Sequence, residues 1–401
     1  MQRFTLPRDM YHGKGALEAL KTLEGKKAIV CVGGGSMRRG GFLDRAVAYL
    51  KEAGMEVRLF EGIESDPSVE TVMRGADEML AFEPDWIVAM GGGSPIDAAK
   101  AMWIKYEYPE ITFEDMCKVF GIPKLRRKAQ FCAISSTSGT ATEVTAFSII
   151  TDYQKGIKYP IADFEITPDV AIVDPDLAET MPQKLVAHTG MDAMTHAIEA
   201  YVSMMASDYT DGLALRAIKL VFDYLPRAYR DGNDVEARDH MANASCMAGM
   251  AFANAFLGVN HSLAHKLGAF HHIPHGIANA LVLTDVMRYN AEEVPTKMGT
   301  FPQYQYPKTL ARYAEIGRFV GLTGKDDKEV FEKLLDKLEE LKKIIEIKPT
   351  IKDYGVDEKY FLETLDEMSE QAFNDQCTGA NPRYPLIAEL KEIYLKAYYG
   401  K

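Results

Sequence analysis

The first part of the chain alternates short apolar runs with stretches in which apolar residues recur every three or four positions. Such periodic stretches predict helices at residues 42–54, where Gly54 would end the helix, and again after Asp66-Pro67. The short runs are rich in β-branched residues and predict strands at 28–32, 56–60, 85–90, 130–136, 148–151 and 170–174. Strands that alternate with helices predict an α/β domain with a parallel sheet, which we place at residues 1–178.

From about residue 179 onwards almost every segment has helical periodicity. Residues 185–203 and 262–270 are apolar with a period close to 3.6 residues. Residues 325–348 combine charged positions on one helical face with an apolar stripe on the other, formed by Val330, Phe331, Leu334, Leu335, Leu338 and Leu341. We therefore predict a second, all-helical domain at residues 179–401.

Composition and charge narrow the class of protein. The 401 residues are 47% hydrophobic and 26% charged, which is typical of a folded protein of two or three domains. The formal net charge is −12 with no dense basic block, and this argues against a nucleic-acid partner. No apolar run approaches the roughly 18 residues of a membrane helix, and the first residues lack the apolar core of a signal peptide. We expect no membrane partner and a cytoplasmic location. By base rate alone we also expect a homo-oligomer, most simply a dimer.

Two glycine clusters follow predicted strands. The first comprises Gly33, Gly34, Gly35 and Ser36, and the second includes Gly92, Gly93 and Ser94. Glycine lets backbone amides approach a phosphate closely, and the helix that follows presents its N-terminal N–H groups to the anion. Neither cluster matches the six-residue Rossmann fingerprint, so each is also compatible with a tight turn of structural importance only.

A third polar turn, residues 135–143, also follows a predicted strand. Its hydroxyl groups, on Thr137, Ser138, Thr140 and Thr142, can bind a ribose or a phosphate. By itself such a turn is more often a simple loop. Three such turns at the carboxyl ends of strands in one sheet together predict a nucleotide site at that edge.

The residues around Gly33 favour NADP over NAD. Dinucleotide sites for NAD usually present a carboxylate to the ribose 2′-hydroxyl near the end of this strand, and here that position is glycine. Arg38 and Arg39 follow within a few residues, and two guanidinium groups suit a 2′-phosphate. The alternative is that both arginines are solvated surface residues.

The histidines are clustered. Five of the nine lie between residues 261 and 275. Asp192 and His196 are spaced to share one helical face, His261 and His265 repeat that spacing, and His275 follows. We predict that Asp192, His196, His261 and His275 converge on one divalent ion. Three imidazoles and a carboxylate suit Fe(II) or Zn(II), whereas an isolated pair of this kind is more often a core histidine bonded to a carboxylate.

The remaining histidines of the cluster are candidates for proton transfer. His265 lies one helical turn from His261, and His271 and His272 lie just before His275. An imidazole titrates near neutral pH, so one of the three could exchange a proton with the substrate. Hydrogen bonds to the metal ligands are an equally sensible use for them.

At these residues the chain resembles the iron-containing, metal-dependent (group III) alcohol dehydrogenases, and its butanol dehydrogenase-like branch in particular. The likeness is carried by GGGSPIDAAK, SSTSGTATEVT, HTGMDAMTHAIEAYVS and GVNHSLAHKLGAFHHIPHGIANALVL, and by the C-terminal segment that begins AFNDQC. The resemblance implies a Rossmann-like dinucleotide-binding domain, a helical domain of the dehydroquinate synthase type and a catalytic metal. It places the metal on the four residues named above and His265 near the nicotinamide.

The same resemblance implies further contacts with the cofactor. They fall on Gly92, Gly93, Ser94, Asp97, Thr137, Ser138, Thr142 and Lys158. Asp66 stands where relatives often have asparagine, which makes its own contact less certain. An aspartate is common at the position of Gly33 in members that use NAD, so the resemblance also favours NADP.

These observations together favour reversible hydride transfer between NADP and a small primary alcohol or aldehyde. An NAD-dependent polyol dehydrogenase is the alternative within the same superfamily. A hydrolase that activates water on the metal, or a lyase like the relatives of dehydroquinate synthase, are the alternatives from other classes.

Overall fold

The computed structural model describes residues 3–155, 157–292 and 308–400. The chain divides into two compact units, Met1–Met181 and Pro182–Lys401. The sequence pattern places the change of character after residue 178, three residues before the division in the structure.

The first unit is built on a six-stranded parallel sheet, in the order β1-β8-β5-β4-β2-β3. Its strands are β1 (Asp9–His12), β2 (Lys27–Gly33), β3 (Glu56–Ile63), β4 (Trp86–Gly91), β5 (Gln130–Ser135) and β8 (Val170–Val173). Its helices are α1 (Ser36–Arg39), α2 (Phe42–Glu52), α3 (Val69–Phe82), α4 (Gly93–Glu107) and α5 (Phe113–Met116). The predicted α/β fold with a parallel sheet is confirmed.

The central strands are apolar at successive positions because both faces of the sheet are covered. In β2, Ile29 and Cys31 belong to one buried cluster, whereas Val30 and Val32 belong to the cluster on the opposite face. This is the pattern of a parallel sheet with helices on both sides, and it explains why these strands were readable as continuous apolar runs.

Two features of the first unit depart from the sequence pattern. Residues 148–151 lie in β6 (Phe147–Asp152), which is not part of the main sheet but pairs antiparallel with β7 (Ile157–Ala162). The edge strand β1 was not predicted, because three of its four residues are exposed and its side chains follow no apolar pattern.

The second unit is helical throughout its described residues, as predicted. Its α-helices are α6 (Gln183–Val202), α7 (Asp208–Arg230), α8 (Val235–Ala255), α9 (Val259–His271), α10 (His275–Ala291), α11 (Thr309–Phe319), α12 (Asp327–Ile344), α13 (Glu358–Phe373) and α14 (Ile387–Tyr399). The predicted apolar stripe of residues 325–348 is the buried face of α12. Within the described ranges no single helix has the length and apolar character needed to cross a membrane. Only α8 and α9 taken together, bent by 108° at their break, meet that requirement.

Candidate metal centre and glycine loops

Three helices of the second unit bring four potential ligands together. Asp192 and His196 lie on one face of α6, His261 lies in the first turn of α9, and His275 begins α10. One ligand atom from each residue lies within 4.8 Å of the corresponding atoms of the other three. Gly276 allows this approach, because a Cβ atom there would lie 1.9 Å from the backbone oxygen of His188 on α6.

The spacing of these atoms suits a small divalent ion. Asp192 Oδ1 lies 3.9 Å from His196 Nε2, 3.8 Å from His261 Nε2 and 3.4 Å from His275 Nε2. Ligands about 2.1 Å from a tetrahedral ion would lie about 3.4 Å apart. The His275 side chain is 42% exposed, whereas the Asp192 side chain is only 5% exposed. The arrangement is therefore closed on the side of α6 and open on the side of His275.

A second buried carboxylate, that of Glu199, contacts one of the four potential ligands, His261. Its Oε2 lies 2.5 Å from His261 Nδ1, so the other ring nitrogen of His261 faces Asp192. A carboxylate behind a metal-binding imidazole fixes its tautomer and makes it a better donor. Two buried carboxylates also place negative charge beside the imidazoles, and a divalent cation bound to those imidazoles would balance it. Sequence reasoning missed Glu199, although it lies seven residues, or two helical turns, after Asp192.

The charges of the cluster shift two pKa values. Burial opposes ionisation of Asp192, but the nearby imidazoles of His196, His275 and His261 outweigh it and hold its pKa below the usual range. Burial would lower the pKa of His261, but Glu199 and Asp192 raise it to about 9. The cluster therefore favours an ionised carboxylate and attracts positive charge, either protons or a metal ion.

His265 lies beside the four-residue cluster and is held by Asp375. Its Nδ1 lies 3.0 Å from Asp375 Oδ2, and its ring stacks on that of His275 with centroids 5.5 Å apart. Lys266 Nζ lies 3.1 Å from the same oxygen of Asp375. Burial opposes ionisation of Asp375, but His265 and Lys266 outweigh it and keep its pKa low. Sequence reasoning missed Asp375, which lies 110 residues away along the chain.

His271 is directed elsewhere. Its Nε2 lies 3.3 Å from Thr364 Oγ1, and its ring packs against Tyr360 and Phe361 of α13. Burial, with a smaller effect of His272, lowers the pKa of His271. These contacts do not support the predicted role of His271 in proton transfer, because a histidine's position along the helix does not reveal which neighbouring element it faces.

In the first unit the three polar turns follow strands that are neighbours in the sheet. Strands β2, β4 and β5 are adjacent and parallel, so the turns after them lie along one edge. Gly33 ends β2, and a Cβ atom there would lie 2.9 Å from the backbone oxygen of Ile63. Gly35 has a φ of 82°, which favours glycine. Gly34 is open, because a Cβ atom there would have no other atom within 4 Å among the described residues.

The turn after β4 has the features of an anion site. The helix α4 begins at Gly93 with Gly92 as its N-cap, and no side chain caps it. The Ser94 hydroxyl oxygen accepts a hydrogen bond from the backbone N–H of Asp66 at 3.3 Å. Cβ atoms at Gly92 and Gly93 would lie 3.3 Å from the methyl groups of Thr137 and Thr140 respectively.

The hydroxyls of the same two threonines, Thr137 and Thr140, are buried without a hydrogen-bond partner among the described residues. Buried polar atoms in this state are uncommon. The uncapped helix start, the close glycines and these hydroxyls are features that a bound phosphate group would explain.

Asp97 and Thr142 bind each other within the unit. Thr142 Oγ1 donates to Asp97 Oδ1 at 2.6 Å. The fully buried Lys100 lies behind them and donates to the backbone oxygens of Thr142, Thr145 and Phe147 at 2.7, 2.6 and 3.0 Å. Burial raises the pKa of Asp97 to about 6 and lowers that of Lys100 to about 8, in each case against their mutual attraction. The hydrogen bonds among Asp97, Lys100 and Thr142 therefore stabilise the conformation of the turn that follows β5. Ser138 is buried in the same turn.

The charged residues predicted to contact the cofactor differ in how strongly they are bonded to other groups of the protein. Arg38 forms an ion pair with Glu61 at 2.7 Å, whereas the polar contact of Arg39 among the described residues is a long one, 3.5 Å to the Gly34 oxygen. Ser36 begins the same short helix as Arg38 and Arg39. Lys158 Nζ lies 2.6 Å from Asp66 Oδ1, so these two predicted cofactor contacts are paired with each other.

Both units match known families. A family model described as iron-containing alcohol dehydrogenase matches residues 7–175, and one described as the C-terminal part of the Fe-containing alcohol dehydrogenase family matches residues 186–398. The chain belongs to the iron-containing alcohol dehydrogenase family. The predicted family, fold class and enzyme class are confirmed.

Individual relatives agree with this assignment. The chain is 56% identical over 400 residues to an NADPH-dependent butanol dehydrogenase of Clostridium saccharobutylicum, covering 100% of this chain and 99% of that protein. It is 48% identical to a bifunctional aldehyde-alcohol dehydrogenase of Escherichia coli K12, covering 99% of this chain but 46% of that protein. It resembles the solved structure of an iron-containing alcohol dehydrogenase from Thermococcus thioreducens with a TM-score of 0.88 and 37% identity, and each chain is covered completely.

Proposed function

We propose that this alcohol dehydrogenase uses NADPH to interconvert small primary alcohols and aldehydes, with Asp192, His196, His261 and His275 as ligands of an iron or zinc ion. The observation that carries this proposal is the convergence of those four side chains within 4.8 Å in a chain of this family. The name of the clostridial butanol dehydrogenase supports NADPH and a short-chain alcohol. A cytoplasmic homodimer remains part of the proposal.

The ion would polarise the alcohol or aldehyde oxygen; NADPH would supply the hydride for reduction of the aldehyde, and NADP+ would accept it in oxidation of the alcohol. The described residues would provide access for the substrate oxygen and a group that exchanges the alcohol proton. The exposed side of His275 leaves access for a substrate oxygen, whereas the buried carboxylates Asp192 and Glu199 hold the opposite side. His265 is oriented by Asp375 through Nδ1, which leaves its Nε2 available to exchange the alcohol proton.

The proposal predicts activity that depends on both metal and cofactor. Metal-loaded protein should oxidise NADPH, followed at 340 nm, when butanal is added, and removal of the metal by a chelator should abolish this activity. Restoring Fe(II) or Zn(II) should recover it, because the ligand set accepts either ion. Absence of turnover with every C2 to C6 alcohol and aldehyde in a metal-loaded sample would contradict the proposal.

The contacts of the two arginines predict an order of effects on cofactor choice. Arg39→Ala should raise the KM for NADPH about 10-fold to 100-fold and leave the KM for NADH nearly unchanged, because a charge-assisted bond to the 2′-phosphate is lost. Arg38→Ala should have a smaller effect, since Glu61 already occupies its guanidinium group. Arg45→Ala, which removes an exposed arginine that packs on Phe42, serves as the control. Equal changes for NADPH and NADH would refute a 2′-phosphate role for Arg39.

A further inference from the structure

A buried asparagine lies among the proposed metal ligands, and no prediction above uses it. Asn279 of α10 is 0% exposed. Its Nδ2 lies 2.8 Å from Asp192 Oδ1, 3.1 Å from His261 Nε2 and 3.3 Å from His275 Nε2. One amide group therefore faces the ligand atoms of three of the four residues that the metal proposal requires.

The orientation of this amide is fixed by Asn260 of α9. Asn260 Nδ2 lies 3.2 Å from the backbone oxygen of Asn279, and because a carbonyl oxygen can only accept, the atom of Asn260 at this point must be the donor. The same Nδ2 lies 3.0 Å from Asn279 Oδ1, so this end of Asn279 accepts. The other end, which faces Asp192, must therefore be the NH2 group.

The contacts close a ring across three helices. Glu199 of α6 accepts from the backbone N–H of Asn260 at 2.8 Å and binds His261 through its other oxygen. Asn260 binds Asn279, and Asn279 returns to α6 through Asp192. All of these residues are less than 5% exposed. We refer to Glu199, Asn260 and Asn279 as the ligand frame.

We propose that Asn279 is a positioning residue for the metal: through the ligand frame it holds Asp192, His261 and His275 converged before an ion binds. This inference rests on the metal ligands of the proposed function. In the neutral form that metal binding requires, His261 donates its Nδ1 proton to Glu199, and its Nε2 then carries a lone pair that can accept from the Asn279 amide. The NH2 group has two hydrogens, so it can bond to two of these three acceptors at once. Bonded in this way it holds acceptors that would otherwise repel one another or turn away, and so reduces the reorganisation that metal binding requires.

The test compares two buried asparagines on the same helix. Asn279→Leu removes the donor and keeps the branched shape of the side chain. Asn290→Leu is the matched control, because Asn290 is also buried on α10 but bonds to Tyr313 and Asn381 instead of the ligands. Metal-free protein is titrated with Co(II) against a competing chelator, and the visible absorption of bound Co(II) is recorded.

We expect Asn279→Leu to bind Co(II) about 10-fold to 100-fold more weakly than the wild type with a changed spectrum, and Asn290→Leu to match the wild type in both. Asn279→Ala, which leaves a small cavity, is the second variant if leucine prevents folding, and the same loss is expected of it. An affinity for Asn279→Leu within twofold of wild type would overturn the inference. So would an equal loss in Asn290→Leu, which would indicate a general effect on α10. Failure of the wild type to bind Co(II) would instead refute the proposed metal ligands themselves.

Discussion

Asp192→Asn is expected to reduce turnover by about a thousandfold or more, a loss of roughly 4 kcal/mol or more of transition-state stabilisation. Asparagine preserves the size of the side chain but replaces a charged ligand oxygen with a neutral amide. Asp192 Oδ1 lies within 3.9 Å of all three candidate imidazoles, so the change takes the negative charge from the group that the other ligands share as a neighbour. That charge is one of the two buried negative charges that a divalent ion would balance.

The measurements are the metal content after dialysis and the rate of NADPH oxidation with butanal. Asp223→Asn on α7 is the control, because Asp223 is an exposed residue paired only with Lys219 among the described contacts. The glycine loops belong to the first unit, so NADPH binding, followed by its fluorescence, should survive in Asp192→Asn. Wild-type metal content together with near-wild-type turnover would show that Asp192 is not a ligand.

Lys100→Met is expected to lower the free energy of unfolding by about 3–5 kcal/mol. The ammonium group of Lys100 is fully buried and satisfies three backbone oxygens of the turn that follows β5. Methionine fits the apolar stem but leaves those oxygens without their donor and Asp97 without its cation. Because the turn carries Thr137 and Thr140, NADPH affinity should fall as well.

Urea unfolding gives the stability, and Lys105→Met is the matched control on the same helix. Lys105 donates to the backbone oxygens of Pro109 and Ile111, but it is partly exposed, so water can replace it. Its loss should cost about 1 kcal/mol or less. Similar unfolding midpoints for Lys100→Met and the wild type would show that the buried cation is dispensable.

The sequence was sufficient for the features that depend on local pattern. The apolar runs of β2, β4 and β5 were readable because both faces of the sheet are covered, which makes successive positions apolar. The stripe of α12 was readable because burial of one helical face imposes a period of 3.6 residues. The antiparallel pairing of β6 with β7 was not readable. An apolar run indicates that a strand is buried but does not identify its partner, and β7 contains Pro160 and the charged Lys158, which obscure its pattern.

For the histidine cluster, too, the sequence indicated which residues are important but not which neighbours they contact. Spacing of four residues placed Asp192 with His196 on one helical face, and scarcity of histidine made residues 261–275 conspicuous. The sequence pattern could not distinguish His265, which stacks on His275, from His271, which faces α13. Along a helix these two histidines look alike, and only the packing of the neighbouring helices separates them.

By itself the sequence determined the two-part architecture, the family and four candidate ligands, because each depends on residue types at fixed spacings along the chain. The tertiary structure alone identified Glu199, Asn260, Asn279 and Asp375 around those ligands, and Lys100 beneath the polar turn. Their partners are distant along the chain, and hydrogen bonds of buried polar groups are decided by which helices and strands pack together. The groups that orient the candidate chemistry therefore become visible only once the fold is formed.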